Sequence, residues 1–231
     1  EHGGVAFDAS GVGRERLEEA YSAYVKRYRA VGMDIAEQAM EIAPAAHTSL
    51  GGVYARPDCS TSVEGLFVCG ETLGGLHGAN RIGGNAGLET MVFGRRAGCS
   101  AAAYMDTFSG EPADCTDEIS DAAATVNIDA LRAELTKIVG GALGVIREAG
   151  KLEQAKTELE RMLEQIPESG CYAQQRLRND TLTAYAVTLA ALERKTSTGC
   201  HVRTDSAGEP EKYRVNIRCE NGRAVPRRAE I

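Results

Sequence analysis

The stretch "GLHGANRIGGNAGLETMVFGRRAG", residues 75 to 98, constrains this chain more than any other segment. His77, Asn80, Arg81 and Asn85 stand among glycines immediately before a long run of helix-favouring residues. Glycine lets backbone approach backbone or ligand closely, so polar groups in such a turn face something that must be gripped. Upstream, "VEGLFVCGE" reads as a buried strand carrying Leu66, Phe67, Val68 and Cys69 and closed by Gly70. Downstream, "AGLETMVFGRRAGCSAAAYM" reads as a helix for which Asn85 is the expected N-cap. Strand, glycine-rich loop and helix is an order used to hold phosphates and flavins against backbone N–H groups.

Around this centre the pattern changes twice. At the start, "GGVAFDA" is β-like, and "RERLEEAYSAYVKRYRAV" spaces Leu17, Ala20, Tyr21, Tyr24, Val25 and Tyr28 as one helix ended by Gly32. "MEIAP" is a short β-like run, and Gly51-Gly52 mark a turn. After the central helix, residues 107 to 126 form an acidic, turn-rich linker. Three amphipathic segments follow: "NIDALRAELTKIVGGALGVIREAG", which its glycines could divide in two, "KLEQAKTELERMLEQI" and "DTLTAYAVTLAALERKT". Three segments of that length predict an antiparallel bundle. In the tail, Asn221-Gly222 within "EKYRVNIRCENGRAV" predicts a hairpin.

Composition removes several classes of function. A net charge of −7 argues against a general nucleic-acid binder. No apolar run approaches the ~20 residues that span a bilayer, so no direct membrane span is expected. The opening "EHGGVAFDAS" reads as no signal peptide. Cysteines at 59, 69, 99, 115, 171, 200 and 219 include no C-x-x-C pair, which suits neither a zinc site nor a cysteine-held iron–sulfur cluster and points to reduced thiols. A cytoplasmic location, or a peripheral one at the inner face of a membrane through a partner, is the corresponding expectation. From residue 194 to 228 nine Lys/Arg face four Asp/Glu, which leaves open a solvated basic face or a dock for an acidic partner.

Four pieces occur in order: "HTSLGG", "FVCGE", "HGANRIGGN" and "VFGRRAG". Together they resemble the flavoprotein subunits of succinate dehydrogenase and fumarate reductase and the related L-aspartate oxidases. The resemblance implies FAD as cofactor and a dicarboxylate as substrate. It gives His47 and Arg81 carboxylate-binding roles, the arginine through its planar fork. Glu71 matches the glutamate that binds a ribityl hydroxyl, and Ala86 and Gly87 fall where backbone N–H groups meet the flavin's pyrimidine oxygens. Gly51, Gly52 and Asn85 complete the expected cofactor-binding set. A positive helix end there favours reduced, anionic flavin on physical grounds alone. The bland readings are a core histidine at 47 and a solvated acid at 71. His77 reads as structural, and Arg95 and Arg96 as packing or surface residues.

Two departures concern the subfamily: the family's common Ser-Leu is Ala86-Gly87, and Thr48 replaces a common aromatic. A second likeness, "ERKTSTGCHVRTD", keeps Ser197, Gly199, His201, Arg203 and Asp205 of the family's Arg-x-Glu-Ser-Arg-Gly-x-His-x-Arg-x-Asp, with Thr196 and Thr198 in place of Glu and Arg. His201 and Arg203 are expected to brace the bundle against the flavin region.

The implied organisation is α/β plus α: a C-terminal return of a Rossmann-like FAD-binding domain, then an antiparallel helical bundle and a short β tail. By this reading residues 1–44 end a capping domain, 45–106 finish the FAD-binding domain, 107–126 link, 127–198 form the bundle and 199–231 the tail. The pyrophosphate-binding Gly-x-Gly-x-x-Gly turn, the proton-donor arginine and the histidine that carries covalent flavin in some members are expected upstream, in a missing N-terminal half. "SGVGRERL" lacks both the preceding strand and the last glycine. The implied activity is hydride exchange at flavin N5 between a saturated dicarboxylate and its alkene, and the implied partner is an iron–sulfur or other electron-transfer subunit. An L-aspartate oxidase, or a non-catalytic helical docking module, are the alternatives.

Overall fold

A computed structural model describes residues 4–43, 46–111, 124–206, 208–209 and 212–230, so most of the acidic linker and Cys115 lie outside the described residues. The chain divides into two compact units, 1–49 and 50–231.

In the first unit, β1 (Val5–Phe7) pairs antiparallel with β2 (Met40–Ile42), Ala6 opposite Glu41. Between them run α1 (Arg14–Ala20) and α2 (Ser22–Ala30). The single helix expected here is broken at Tyr21, whose φ of −131° and ψ of 32° leave helical geometry. Leu17 and Val25 still reach one small core with Ala9, Ile35 and Met40. Tyr21 and Tyr24, expected on that same face, are exposed instead. On the surface Arg14 pairs with Asp34 and Glu37, and Arg29 with Glu18.

The second unit holds α3 (Asn85–Thr107), α4 (Ile128–Ala142), α5 (Ala149–Gln165) and α6 (Tyr172–Glu193). Leu131, Leu135 and Ile138 of α4 share a core with Ala155, Leu159 and Met162 of α5 and Leu177 and Ala184 of α6. The apolar spacing read from sequence accounts for that core, since residues three and four apart line one helix face. Asn127 caps α4 by accepting the Ala130 N–H at 3.1 Å. Gly140 and Gly141 lie in its last turn, so they end the helix instead of dividing it. Arg178 closes the α5–α6 connection by donating to the Leu163 and Ile166 carbonyls at 2.8 and 2.6 Å.

The β content is small. Two-residue strands β3 (Ile146–Arg147) and β4 (Val202–Arg203) pair in parallel. β5 (Tyr213–Glu220) and β6 (Arg223–Glu230) form the expected hairpin, with Asn221 and Gly222 at φ 52° and 74° as a type I′ turn requires. The strand expected at Leu66–Cys69 is not formed: Phe67 makes one bridge, to Ser60, and a 3-10 turn begins at Gly70. A strand needs a partner along its length, and the described residues supply one at a single point. Leu66, expected to be buried, is exposed, while Val68 is buried. No described helix is long and apolar enough to cross a membrane.

Candidate functional site

The loop between Leu73 and α3 is fastened at three places. At its start, Val53 donates to the Thr72 carbonyl at 2.8 Å and Gly74 donates to the Val53 carbonyl at 3.0 Å. That pairing lays Gly51-Gly52 alongside residues 72–74. Gly52 has φ 144°, and a Cβ there would stand 2.2 Å from the Thr72 carbonyl oxygen, so no larger residue fits without moving the strap. Glu71 sits in the adjoining Gly70–Thr72 turn, which brings it beside the Gly-Gly segment.

The end of the loop is the N-terminus of α3. The N-cap is Gly84, in left-handed geometry, and Asn85 is the first helical residue; the cap expected from Asn85 is therefore one position off. No side chain caps this end among the described residues, and a Cβ at Gly83, Gly84 or Gly87 would meet nothing within 4 Å. A 23-residue helix thus opens with no side-chain cap on its first N–H groups and with the partial positive charge of its dipole at that end. Ala86 and Gly87 lie on that first turn, and Arg81 is half-buried in the loop just before it. Ile82, Leu88 and Met91 are exposed apolar residues around the same end.

This set fits a flavin. The ring's carbonyl oxygens and its anionic reduced form need clustered N–H donors beside apolar surface, and an uncapped helix end flanked by Ile82, Leu88 and Met91 offers both.

The third fastening lies in the middle of the loop. The Ala79 carbonyl accepts the Cys200 N–H at 2.9 Å, and Cys200 Sγ lies 3.3 Å from Asn80 Oδ1. Behind this contact, His201 Nε2 is 2.9 Å from the Arg194 carbonyl and His201 Nδ1 is 2.9 Å from Arg147 Nη1. A carbonyl only accepts and a guanidinium only donates, so the ring is the neutral Nε2–H tautomer. Burial, with the charges of Arg147, Arg203 and Arg194, pushes the His201 pKa down, against the opposing bond to the Arg194 carbonyl. Arg203 holds Asp205 bidentately at 2.7 and 2.8 Å, and its fork keeps the Asp205 carboxyl well below the usual range. The side chains of His201 and Arg203 thus brace the end of α6, while Gly199 and Cys200, which carry no role in the sequence reading, touch the loop.

Two more residues escape the sequence reading. Glu89 is 8% exposed in α3; its Oε1 has no partner among the described residues, and its Oε2 is 3.9 Å from His77 Nε2. A carboxylate inside the apolar run "GLETMVF" is the signal that could have found it. Arg147 carries no such signal, being 54 residues from its partner His201. Arg96 is a packing residue as expected: it donates to the Pro57 carbonyl at 3.0 Å and lies over the Phe93 ring. Burial raises the Cys59 thiol pKa, leaving it a core filler. His47 belongs to the first unit and is exposed there. No group of three or more His, Cys, Asp or Glu among the described residues could hold a metal ion.

Residues 1–86 match the family described as FAD binding domain, and residues 132–216 that described as fumarate reductase flavoprotein C-term. The chain is 34% identical over 224 residues to one chain of the fumarate reductase (CoM/CoB) of Methanothermobacter marburgensis, across 89% of this chain and 41% of that one. It is 35% identical over 189 residues to an L-aspartate oxidase of Rhodospirillum rubrum, across 81% of this chain and 65% of that one. Among solved structures it is similar to Sdh1 of Mycobacterium smegmatis, seen in complex with UQ1: TM-score 0.76, 27% identity, 98% of this chain and 43% of that one. The chain spans about two fifths of the length of the first curated relatives it matches.

Proposed function

The chain belongs to the FAD-dependent flavoprotein family of succinate dehydrogenase, fumarate reductase and L-aspartate oxidase, and from that premise we propose that it is the C-terminal part of an enzyme interconverting a saturated dicarboxylate and its alkene. The observation that carries this reading is the juxtaposition of Arg81 with the uncapped N-terminus of α3, a carboxylate clamp next to a cradle of N–H donors.

Bound FAD supplies two-electron hydride chemistry. The chain's own residues bind and orient. Arg81 takes one carboxylate through its bidentate fork, and His47 hydrogen-bonds a carboxylate, which fixes the carbon skeleton and polarises the double bond. Ala86 and Gly87, in the first turn of α3, would hold the cofactor ring through their backbone N–H groups, and the helix dipole favours added negative charge there. Glu71 would accept from a hydroxyl of the cofactor's chain. The exposed apolar residues around α3 exclude water once covered. Proton donation to the second alkene carbon falls to a residue outside this chain, as does the pyrophosphate turn, and a preceding segment supplies both.

In domain terms, 1–44 completes a capping domain, 45–106 the FAD-binding domain, 127–198 a helical bundle and 199–231 a tail, joined by 107–126. Electrons pass to or from a partner, an iron–sulfur or other electron-transfer subunit. A second reading, oxidation of L-aspartate by the same clamp, is favoured by the likeness to the Rhodospirillum rubrum enzyme. Stopped-flow spectra of the full-length, FAD-loaded protein separate the two. Rapid reoxidation of reduced flavin by fumarate, with no reduction of oxidised flavin by L-aspartate, supports the first. Reduction by L-aspartate supports the second, and response to neither removes both.

A further inference from the structure

We infer that the Thr198–His201 turn is a positioning element for Arg81: it sets the loop that carries the clamp, so the C-terminal helices tune dicarboxylate affinity. This rests on the carboxylate role proposed for Arg81.

The argument starts with Gly199. Its φ is +53°, and a Cβ there would stand 2.2 Å from the Ala79 carbonyl oxygen, 2.4 Å from the carbonyl carbon and 2.7 Å from the Ala79 Cβ. Real Cβ atoms do not approach backbone that closely, so the turn and the loop touch backbone to backbone, a contact only glycine allows. The next residue fixes the direction of approach, because the Cys200 N–H donates to that same Ala79 carbonyl at 2.9 Å. Cys200 Sγ adds a weaker contact to Asn80 Oδ1 at 3.3 Å, and Arg81 is the following residue. A loop residue this close along the chain to a backbone anchor inherits the anchor's position.

The turn is itself immobilised. Thr198 and His201 exchange backbone bonds at 2.8 and 3.0 Å, closing it as a tight hairpin. On its far side His201 is held between Arg147 and the Arg194 carbonyl. Val202 donates to the Val145 carbonyl at 3.0 Å, and Arg203 locks Ala191, Arg194 and Asp205 together. The result is an unbroken series of backbone and buried polar contacts from the end of α6 to the residue before Arg81. The loop is otherwise rich in glycine, and among the described residues the fastening nearest to Arg81 along the chain on its N-terminal side is this one, so it decides where Arg81 stands.

The test uses the full-length, FAD-loaded protein. Gly199→Ala forces the loop off the turn, and we expect the succinate Kd, read by calorimetry, to rise about tenfold, the size of a weakened charge-assisted hydrogen bond. FAD content should stay stoichiometric, and amide hydrogen exchange at residues 78–82 should speed up. Should Gly199→Ala not accumulate in folded form, His201→Gln loosens the same turn from the α6 side and carries the same expectation. Unchanged exchange at 78–82 together with unchanged Kd overturns the inference. If exchange rises and Kd does not, Arg81→Lys identifies what failed: a weakened Kd in that variant sinks the positioning role alone, and an unchanged one sinks the role of Arg81 and the inference with it.

Discussion

Replacing Arg203 by Met keeps the stem's length and removes the charged fork. Arg203 is 7% exposed and makes four bonds: two to Asp205, and one each to the Ala191 and Arg194 carbonyls at 3.1 and 3.2 Å. Removing one partner of a fully buried ion pair costs about 3–5 kcal/mol. Here the cost is smaller, because Asp205 is partly exposed and regains water, and the Arg194 carbonyl keeps its bond from His201. What remains is a carbonyl at Ala191 without its donor, about 1–3 kcal/mol, plus a modest pair contribution. The expected loss is about 2–3 kcal/mol, a large share of a typical ~5–15 kcal/mol. Urea unfolding followed by far-UV circular dichroism measures it through the shift in midpoint at constant slope. Arg203→Lys should recover little, since an ammonium cannot hold a carboxylate bidentately while reaching two carbonyls. A Met variant within about 0.5 kcal/mol of the unaltered protein would refute the claim that Arg203 ties α6 to the following turn.

His201 makes stability depend on pH in a set direction. Its folded pKa lies below the ordinary ~6.5, so the unfolded state binds the proton more readily. The contribution is therefore complete above ~6.5 and is lost as pH falls through that value toward the folded pKa, at no more than about 1.4 kcal/mol per pH unit. Urea midpoints between pH 8 and 5 should fall in that window, and His201→Gln should flatten it; an equal slope in the variant would contradict the assignment. Asn127→Ala removes the α4 cap and should cost about 1 kcal/mol by the same assay, an unchanged midpoint speaking against the cap. His47→Ala should raise the succinate Kd of the FAD-loaded protein, and identical affinity by calorimetry would reject its proposed role.

The parts legible in the sequence are those written in local periods or turn chemistry. Leu131, Leu135, Ile138, Leu159 and Met162 recur at helical spacing, and each is buried. Asn221-Gly222 specifies its turn because both residues tolerate positive φ. The ordered glycine motifs located the Gly52 strap and the loop before α3 for the same reason: a close backbone approach admits few residues. Features set by distant partners were not legible. Whether Leu66–Cys69 forms a strand depends on what pairs with it, and the break at Tyr21 has no proline or glycine to announce it. Gly199 stood in a recognisable motif, yet its partner Ala79 lies 120 positions away and no spacing joins the two. Glu89 did carry a signal, a carboxylate inside an apolar run, and the fold adds its burial and an Oε1 without a partner among the described residues.

The central claim, that Arg81 at the uncapped end of α3 is a dicarboxylate clamp, is tested most directly by titrating the full-length, FAD-loaded protein and its Arg81→Lys variant with succinate and following the flavin absorbance. The account predicts a saturable spectral change in the unaltered protein. In the variant it predicts bound flavin with the same stoichiometry and a dicarboxylate response weakened at least about tenfold, because lysine keeps the charge and loses the fork. Superimposable titrations would contradict it.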